Sequence, residues 1–289
     1  MMASETKEDV LHEDVARARS YYDSDDAEAF YSTVWGGENI HIGLYQDEAE
    51  SIADASHRSV ETLAKKLAPL HKASHVLDMG SGYGGTARYL ARTFGCRVTG
   101  LNLSEVENQR ARSLNEKHGL HDRVQIVQGM FEAVELPDAH FDAVCSQDSF
   151  LHSSDRAQVV AEAARLLKPG GVFVFTDIMQ ADDCDPKRLQ PIFERIDLSS
   201  LGSPEFYRNA AELHGLEEVA FEDNTHHLIT HYSRVLSETV AKEDVLRQRI
   251  SNAYLDRMKR GLDLWVNAGR DRQLVWPLFT FRKPAEQAN

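Results

Sequence analysis

The hydrophobic pattern of the chain changes character near residue 75. Before that point, apolar residues from Ile52 to Leu67 recur about every 3.6 positions, which predicts an amphipathic helix that ends before Pro69. After it, short apolar runs alternate with helical stretches as far as Thr176. Continuous apolar runs are typical of strands buried on both faces, so this region is predicted to be a parallel sheet covered by helices on both sides.

The elements of the sheet region can be given approximate limits. Strands are predicted at 76–79, 97–101, 124–127, 141–145 and 172–175, and helices at 86–93, 104–118 and 157–167. Beyond Thr176 the alternation ends. The prediction there is a mostly helical stretch at 180–214, a sixth strand at 215–221, a long charged helical stretch at 228–268 and a final strand at 273–282.

A glycine-rich turn follows the first predicted strand. Gly80, Gly82 and Gly85 have the GxGxxG spacing between a strand and a helix. Glycine permits the tight turn and lets backbone N–H groups approach a nucleotide, whose negative groups the helix N-terminus favours. A nicotinamide site expects an acidic residue about 20 positions later. Asn102 is at that position, which disfavours a nicotinamide-dependent oxidoreductase.

Three segments in sequence order resemble class I S-adenosylmethionine-dependent methyltransferases. They are Val76–Gly84, Phe141–Val144 and Arg165–Gly171, which contains the run LLKPGG. The resemblance implies an α/β, Rossmann-like fold with a mostly parallel seven-stranded sheet whose last strand is antiparallel. It also implies S-adenosylmethionine as cofactor, S-adenosylhomocysteine as its product, and no metal. The positions that it assigns to the cofactor are Tyr22, His41, Ile42, Asp78, Gly80, Gly82, Asn102, Leu103, Met130, Phe131 and Gln147.

The outer segments narrow this resemblance. The arm Trp35–Tyr45, preceded by Tyr22-Asp23, and the segments Leu101–Glu105 and Ser146–Ser153 are similar to the sarcosine/dimethylglycine N-methyltransferases of glycine betaine synthesis. The similarity implies methyl transfer to sarcosine or dimethylglycine. It also implies an N-terminal arm at 1–70, a cofactor-binding core at 71–178, and a helical substrate lid at 179–289 that includes the two closing strands of the sheet.

Methylation of an amine sets chemical requirements for the remaining site. The amine must be neutral, so burial must favour that form or a base must take the proton. Aromatic faces stabilise the quaternary ammonium product by about 2 kcal/mol when desolvated, and a carboxylate needs a guanidinium or several donors. The catalytic candidates are His152, Asp148 and Tyr22, and the candidates for substrate binding are Trp35, Tyr45, Arg195, His231 and Arg234.

Several of these residues also fit an ordinary structural role. Trp35 and Tyr45 equally fit packing of the arm onto the core. His152 precedes Ser153, Ser154 and Asp155, which have the pattern of a helix start. Arg234 fits a surface ion pair. Methylation of phosphoethanolamine, a quinol or tocopherol-like compound or a sterol stays open, as does a noncatalytic S-adenosylmethionine-binding regulator.

Composition and charge limit the possible partners and ligands. The chain has 289 residues, with 46 acidic and 32 basic side chains and a net charge of −14, which opposes binding to nucleic acid or anionic membranes. The three cysteines form no CxxC pair, and the histidines near His231 have no partners at metal-ligand spacing, so no metal site is predicted. With no long apolar run or signal-peptide pattern, a cytoplasmic protein is expected.

Overall fold

The structure is a computed structural model that describes residues 25–35, 37–196 and 198–285. Its α-helices are Asp25–Val34 (α1), Ile52–Leu67 (α2), Gly85–Phe94 (α3), Glu105–Lys117 (α4), Arg156–Leu166 (α5), Gln190–Ile196 (α6), Pro204–Leu213 (α7), Thr225–Ala241 (α8), Glu243–Leu246 (α9) and Asn252–Arg270 (α10). Its strands are His75–Met79 (β1), Arg97–Asn102 (β2), Val124–Gln128 (β3), Phe141–Gln147 (β4), Leu167–Thr176 (β5), Met179–Gln180 (β6), Glu217–Asp223 (β7), Leu274–Val275 (β8) and Pro277–Arg282 (β9). Short 3₁₀ turns occupy Phe150–His152 and Pro186–Leu189.

The main sheet has seven strands in the order β3-β2-β1-β4-β5-β9-β7. The strands from β3 to β5 pair in parallel, and β9 runs antiparallel to both of its neighbours. The predicted mostly parallel sheet with an antiparallel last strand is therefore confirmed. Because the strand order reverses between β1 and β4, a crevice opens at their carboxyl ends, which is where open α/β sheets bind ligands.

The helix α2 has the limits that the apolar period predicts. Its N-terminus is capped by Ser51, whose hydroxyl accepts a hydrogen bond from the Asp54 N–H at 3.1 Å. Its apolar face buries Leu63 and Leu67 in a cluster that includes Val76 of β1. The helix thereby fixes the polar arm that precedes it against one face of the sheet.

The carboxyl-terminal half differs from the prediction in its connections. The helical stretch predicted at 228–268 is divided, because the chain forms α8, the short α9 and α10, the last of them capped by Ser251. The break lets α8 and α10 pack side by side and bury Val235 and Leu262 in one cluster with Phe30 of α1. The predicted final strand is likewise divided at Trp276, since β8 pairs with β6 in a separate two-stranded sheet.

Candidate active site

A polar cleft lies beyond the carboxyl ends of β1, β2 and β4. It encloses about 870 Å³ of empty space, part of which is open to solvent. The glycine-rich turn forms its floor: Gly80 and Gly82 have φ values of +80° and +49°, and the Gly80 N–H donates to the Leu101 carbonyl at 2.8 Å. A side chain at Gly80 would collide with Ser149, so only glycine fits this turn.

Several buried polar atoms in the lining of this cleft lack hydrogen-bond partners among the described residues. They include Asp78 Oδ2, Ser81 Oγ and His41 Nε2. Burial raises the pKa of Asp78 to about 7, against the opposing effects of the Cys145 thiol and the Ala87 N–H. Because an unsatisfied buried polar group costs about 1–3 kcal/mol, these atoms indicate a polar ligand in the cleft.

A buried carboxylate reaches the end of β2 from the next helix. Glu107 of α4 accepts a hydrogen bond from Asn102 Nδ2 at 3.0 Å, and both residues line the cleft. Position 102 has no carboxylate of its own, and Glu107, five positions later, supplies one. Sequence reasoning missed Glu107 because Ser104-x-x-Glu107 has the spacing of a helix-capping box. The Glu107 N–H does donate to Ser104 Oγ, at 3.2 Å.

A second cavity adjoins the cleft and has a different character. It encloses about 580 Å³, and Ile40, His41, Asp148 and His152 belong to the linings of both spaces. Its walls are mainly aromatic and apolar, formed by Tyr31, Trp35, Ile42, Leu151, Ile178, His231, Tyr232, Met258, Leu262 and Trp265. Within the described part of the chain, no arginine or lysine lines it.

The aromatic walls come from helices that are distant in sequence. Tyr31 and Trp35, at the end of α1, have ring centroids 4.9 Å apart, and Tyr232 of α8 and Trp265 of α10 have theirs 5.0 Å apart. Sequence reasoning missed Tyr31, Tyr232 and Trp265 as site residues. The only signal for Tyr31 is its place in the aromatic-rich N-terminal segment, and the other two lie in a stretch that is dominated by charged residues.

Asp148 connects the arm to the sheet. Its Oδ2 accepts from the Ile42 N–H at 2.8 Å, and its Oδ1 accepts from Thr176 Oγ1 at 2.8 Å and from Trp276 Nε1 at 2.7 Å. Burial raises the pKa of Asp148, while His41 and these donors act in the opposite direction. Because the protein's own donors take most of its lone pairs, the geometry favours a positioning role over the predicted role as a base.

The arm continues from this carboxylate along a series of hydrogen bonds. The N–H of Gly43 donates to His231 Nδ1 at 3.3 Å, and the N–H of Tyr45 donates to His227 Nδ1 at 3.1 Å. Between them, the Leu44 N–H donates to the Ala55 carbonyl of α2 at 3.0 Å. Consecutive amides of the arm therefore bind α8 and α2 in alternation.

His152 lies at the junction of the two spaces, directly after a residue whose backbone is fixed by two hydrogen bonds. The neighbouring Leu151 N–H donates to Asp177 Oδ1 at 3.1 Å, and the Leu151 carbonyl accepts from Arg156 Nη2 at 2.7 Å. Burial, assisted by the Arg156 charge, lowers the pKa of His152 to about 4. Its imidazole is therefore neutral at pH 7.

The structure brings together most of the residues that the sequence singles out. His41, Asp78, Gly80, Gly82, Asn102, Leu103, Phe131 and Gln147 line the cleft, Trp35, Ile42 and His231 line the second cavity, and Asp148 and His152 line both, as His41 also does. Met130, Tyr45 and Arg234 line neither space.

The remaining candidates are placed elsewhere or are not described. The hydroxyl of Tyr45 is 2.9 Å from His231 Nδ1, so Tyr45 supports a residue that lines the cavity. Arg234 donates to Glu238 at 2.9 Å in an ion pair along α8. Arg195 lies in α6, its side chain is not among those described, and Tyr22 lies outside the described residues.

The described ranges contain no group of three or more histidine, cysteine, aspartate or glutamate side chains that could hold a metal ion. They also contain no helix that is long and apolar enough to cross a membrane.

Comparison with known proteins gives a consistent result. A family model described as a methyltransferase domain matches residues 77–175. The chain is 52% identical to the sarcosine/dimethylglycine N-methyltransferase of Halorhodospira halochloris, over 93% of this chain and 96% of that protein. It is 47% identical to the enzyme of the same name from Aphanothece halophytica, over 93% and 97%.

A solved structure shares the fold at similar coverage. The crystal structure of a putative sarcosine dimethylglycine methyltransferase from Galdieria sulphuraria superposes with a TM-score of 0.87 at 39% identity. The match covers 92% of this chain and 100% of that one. It therefore extends beyond the sheet to the arm and the helices that enclose the second cavity.

Proposed function

The chain belongs to the sarcosine/dimethylglycine N-methyltransferase family of class I methyltransferases, and we propose that it transfers methyl groups from S-adenosylmethionine to sarcosine and dimethylglycine, with glycine betaine as the final product. The observation that carries the proposal is the contact between a polar cleft and an aromatic cavity, whose linings share His41, Asp148 and His152. The proposal includes the division of the chain into an arm at 1–70, a cofactor-binding core at 71–178 and a lid at 179–289.

The residues of the cleft fit the groups of S-adenosylmethionine. The buried Asp78 carboxyl, with one oxygen lacking a partner, fits the ammonium group of its methionine part. Asn102 and Glu107 fit the ribose hydroxyls, and Phe131 offers a flat face to the adenine. When bound, this cofactor supplies a methyl group on a positively charged sulfur, which an amine lone pair can take by direct displacement once the two are aligned.

The second cavity fits the amine. Burial between Trp35, Tyr232 and Trp265 disfavours the ammonium form of the substrate and so favours the neutral amine that has a free lone pair. The same aromatic faces then stabilise the permanently charged quaternary product, which cannot lose its charge by losing a proton. A single set of walls therefore serves both the substrate and the product.

His152 fits the role of proton acceptor. Its neutral imidazole lies in both linings, at the junction where the substrate nitrogen has to meet the cofactor. With a pKa of about 4 it is a weak base. It can hold the proton only transiently, so the burial of the amine contributes the larger part of the deprotonation.

The composition of the cavity lining disfavours phosphoethanolamine as the acceptor. A phosphoethanolamine site needs several cationic side chains for the phosphate, and among the described residues no arginine or lysine lines this space. Membership in a methyltransferase family disfavours the nicotinamide-dependent oxidoreductase.

The test is direct. The purified protein is incubated with methyl-labelled S-adenosylmethionine and, separately, with glycine, sarcosine, dimethylglycine and phosphoethanolamine, and the label in each product is counted. We expect label in dimethylglycine from sarcosine and in betaine from dimethylglycine. Label in neither product, with tight cofactor binding still measurable, would overturn the proposed substrate and redirect the search to lipid or quinol acceptors.

A further inference from the structure

Two buried histidines line the aromatic cavity with their protons on opposite ring nitrogens. His231 Nδ1 accepts from the Gly43 N–H at 3.3 Å and lies 2.9 Å from the Tyr45 hydroxyl. A backbone N–H can only donate, so Nδ1 must carry a lone pair. Burial lowers the pKa of His231 to about 3, so the ring is neutral and its proton is on Nε2. His231 therefore offers a donor at Nε2.

His41 has the reverse arrangement. Its Nδ1 lies 3.2 Å from the Ile42 carbonyl, which can only accept, so Nδ1 carries the proton. Burial lowers the pKa of His41, which keeps the ring neutral and leaves a lone pair on Nε2. Neither the Nε2 of His41 nor that of His231 has a partner among the described residues, although both atoms are buried.

From this geometry we infer that the cavity first binds its amino acid as the zwitterion, in one fixed direction, before the ammonium proton is lost and the neutral amine reacts. Its carboxylate accepts a hydrogen bond from His231 Nε2–H at the α8 wall, and its ammonium N–H donates to His41 Nε2 at the junction with the cleft. The inference rests on the proposed function, because it concerns the same cavity. To the proposed function it adds a statement of which wall of the cavity recognises each end of the substrate.

The residues that line the cavity favour the same orientation of the substrate. With no arginine or lysine among the described lining residues, a neutral N–H donor has to take the place of a guanidinium. Among the described lining residues Asp148 is the only carboxylate. It lies on the same side as His41, since it binds the neighbouring Ile42 N–H. A substrate carboxylate is therefore repelled from the junction, and its nitrogen end is attracted there.

Equilibrium binding of three ligands tests both ends. Dimethylglycine has a carboxylate and an N–H, betaine has only the carboxylate, and N,N-dimethylethylamine has only the N–H. Each is titrated calorimetrically into the protein with S-adenosylhomocysteine at saturation. His231→Asn keeps an oxygen near the Nδ1 position for Gly43 and removes the Nε2 donor. We expect it to weaken the binding of dimethylglycine and betaine about tenfold or more and to leave that of N,N-dimethylethylamine within about twofold.

His41→Asn tests the other end. It keeps an N–H near the Nδ1 position for the Ile42 carbonyl and removes the Nε2 acceptor. We expect weaker binding of dimethylglycine and N,N-dimethylethylamine, by about fivefold to tenfold, and unchanged binding of betaine, which has no N–H. The affinity for S-adenosylhomocysteine is measured first, so that each titration is carried out at saturation.

Two matched controls separate recognition from structural support. His231→Gln keeps an N–H near the Nε2 position, and we expect betaine to bind within about threefold of the unchanged protein. Tyr45→Phe removes one partner of Nδ1 but keeps the Gly43 bond, and we expect equally little change. Nitrogen-15 NMR of the imidazoles gives a readout independent of ligand, with His231 protonated at Nε2 and His41 at Nδ1.

The outcomes distinguish this inference from the function beneath it. A protein that neither binds nor methylates any amine would overturn the proposed function. A protein that methylates dimethylglycine, but whose His231→Asn variant binds dimethylglycine and betaine unchanged, would overturn the inference alone. The reverse tautomers in the NMR spectrum would do the same.

Discussion

The cleft and the aromatic cavity share a boundary but are built in different ways. The cleft is formed largely by segments that directly follow β1, β2 and β4, so the sheet fixes its geometry. The cavity takes most of its walls from α1, the arm, α8 and α10, which are far apart in sequence, together with Leu151 and Ile178 after β4 and β5. The proposed cofactor site thus depends on strand ends and turns, and the proposed substrate site depends mainly on how helices pack.

The residue at the junction provides the strongest test of this division. We expect His152→Ala to lower turnover of dimethylglycine about a hundredfold, because a positioned proton acceptor is lost, with the affinity for S-adenosylhomocysteine little changed. The loss is largest at low pH, where neutral amine is scarcest. The measurement is turnover between pH 6 and 9, with His140→Ala, on the far side of β4, as control. An equal loss at every pH would indicate positioning instead.

The second-largest effect is expected for a substitution in a wall of the aromatic cavity. Trp35→Leu removes one face that stabilises the cationic product, worth about 2 kcal/mol when desolvated, so kcat/KM for dimethylglycine is expected to fall about 30-fold. Trp35→Phe, which keeps an aromatic face, recovers part of this loss. Steady-state kinetics with both substrates varied gives the measurement. A matching loss of cofactor affinity would show that the two spaces are not separable in this way.

A substitution of Glu107 tests the cleft instead of the cavity. Glu107→Gln keeps the shape of the side chain but removes the charge that accepts from Asn102, and we expect the affinity for S-adenosylmethionine to fall about tenfold. The KM for dimethylglycine stays within twofold at saturating cofactor. Glu105→Gln, on the exposed side of the same helix turn, is the matched control. Equal effects of the two substitutions would remove Glu107 from the cofactor site.

The smallest expected effect concerns pH and the cleft alone. Because burial raises the pKa of Asp78 to about 7, the carboxylate is mostly ionised above pH 7 and mostly protonated below it. Attraction to the cofactor ammonium is therefore lost as the pH falls, and the affinity for S-adenosylhomocysteine is expected to drop several-fold between pH 8 and 6. Asp78→Asn binds more weakly at pH 8 and loses this dependence. Calorimetric titration across the range tests both statements.

The two regions also differ in how far the sequence predicts them. The turn from Gly80 to Gly85 and the helix Ile52–Leu67 follow from local pattern, and the structure has both. The strands β6 and β8 contain two residues each, too few for any period to show. Tyr232 and Trp265 become cavity walls only because α8 and α10 pack together. Sequence reasoning missed Glu107 because its position fits a helix-capping pattern as well as the proposed ligand site.

The alternation of hydrogen bonds along the arm fixes its length. The amides of Gly43 and Tyr45 bind histidines of α8, whereas the Leu44 amide between them binds α2. Inserting or deleting one residue here would exchange these partners and turn the whole segment over. A proline at any position from 42 to 45 would remove a donor, and a Cβ at Gly43 would lie 2.6 Å from Ala55 of α2. This stretch can therefore change neither in length nor in backbone chemistry without moving His41 away from the junction.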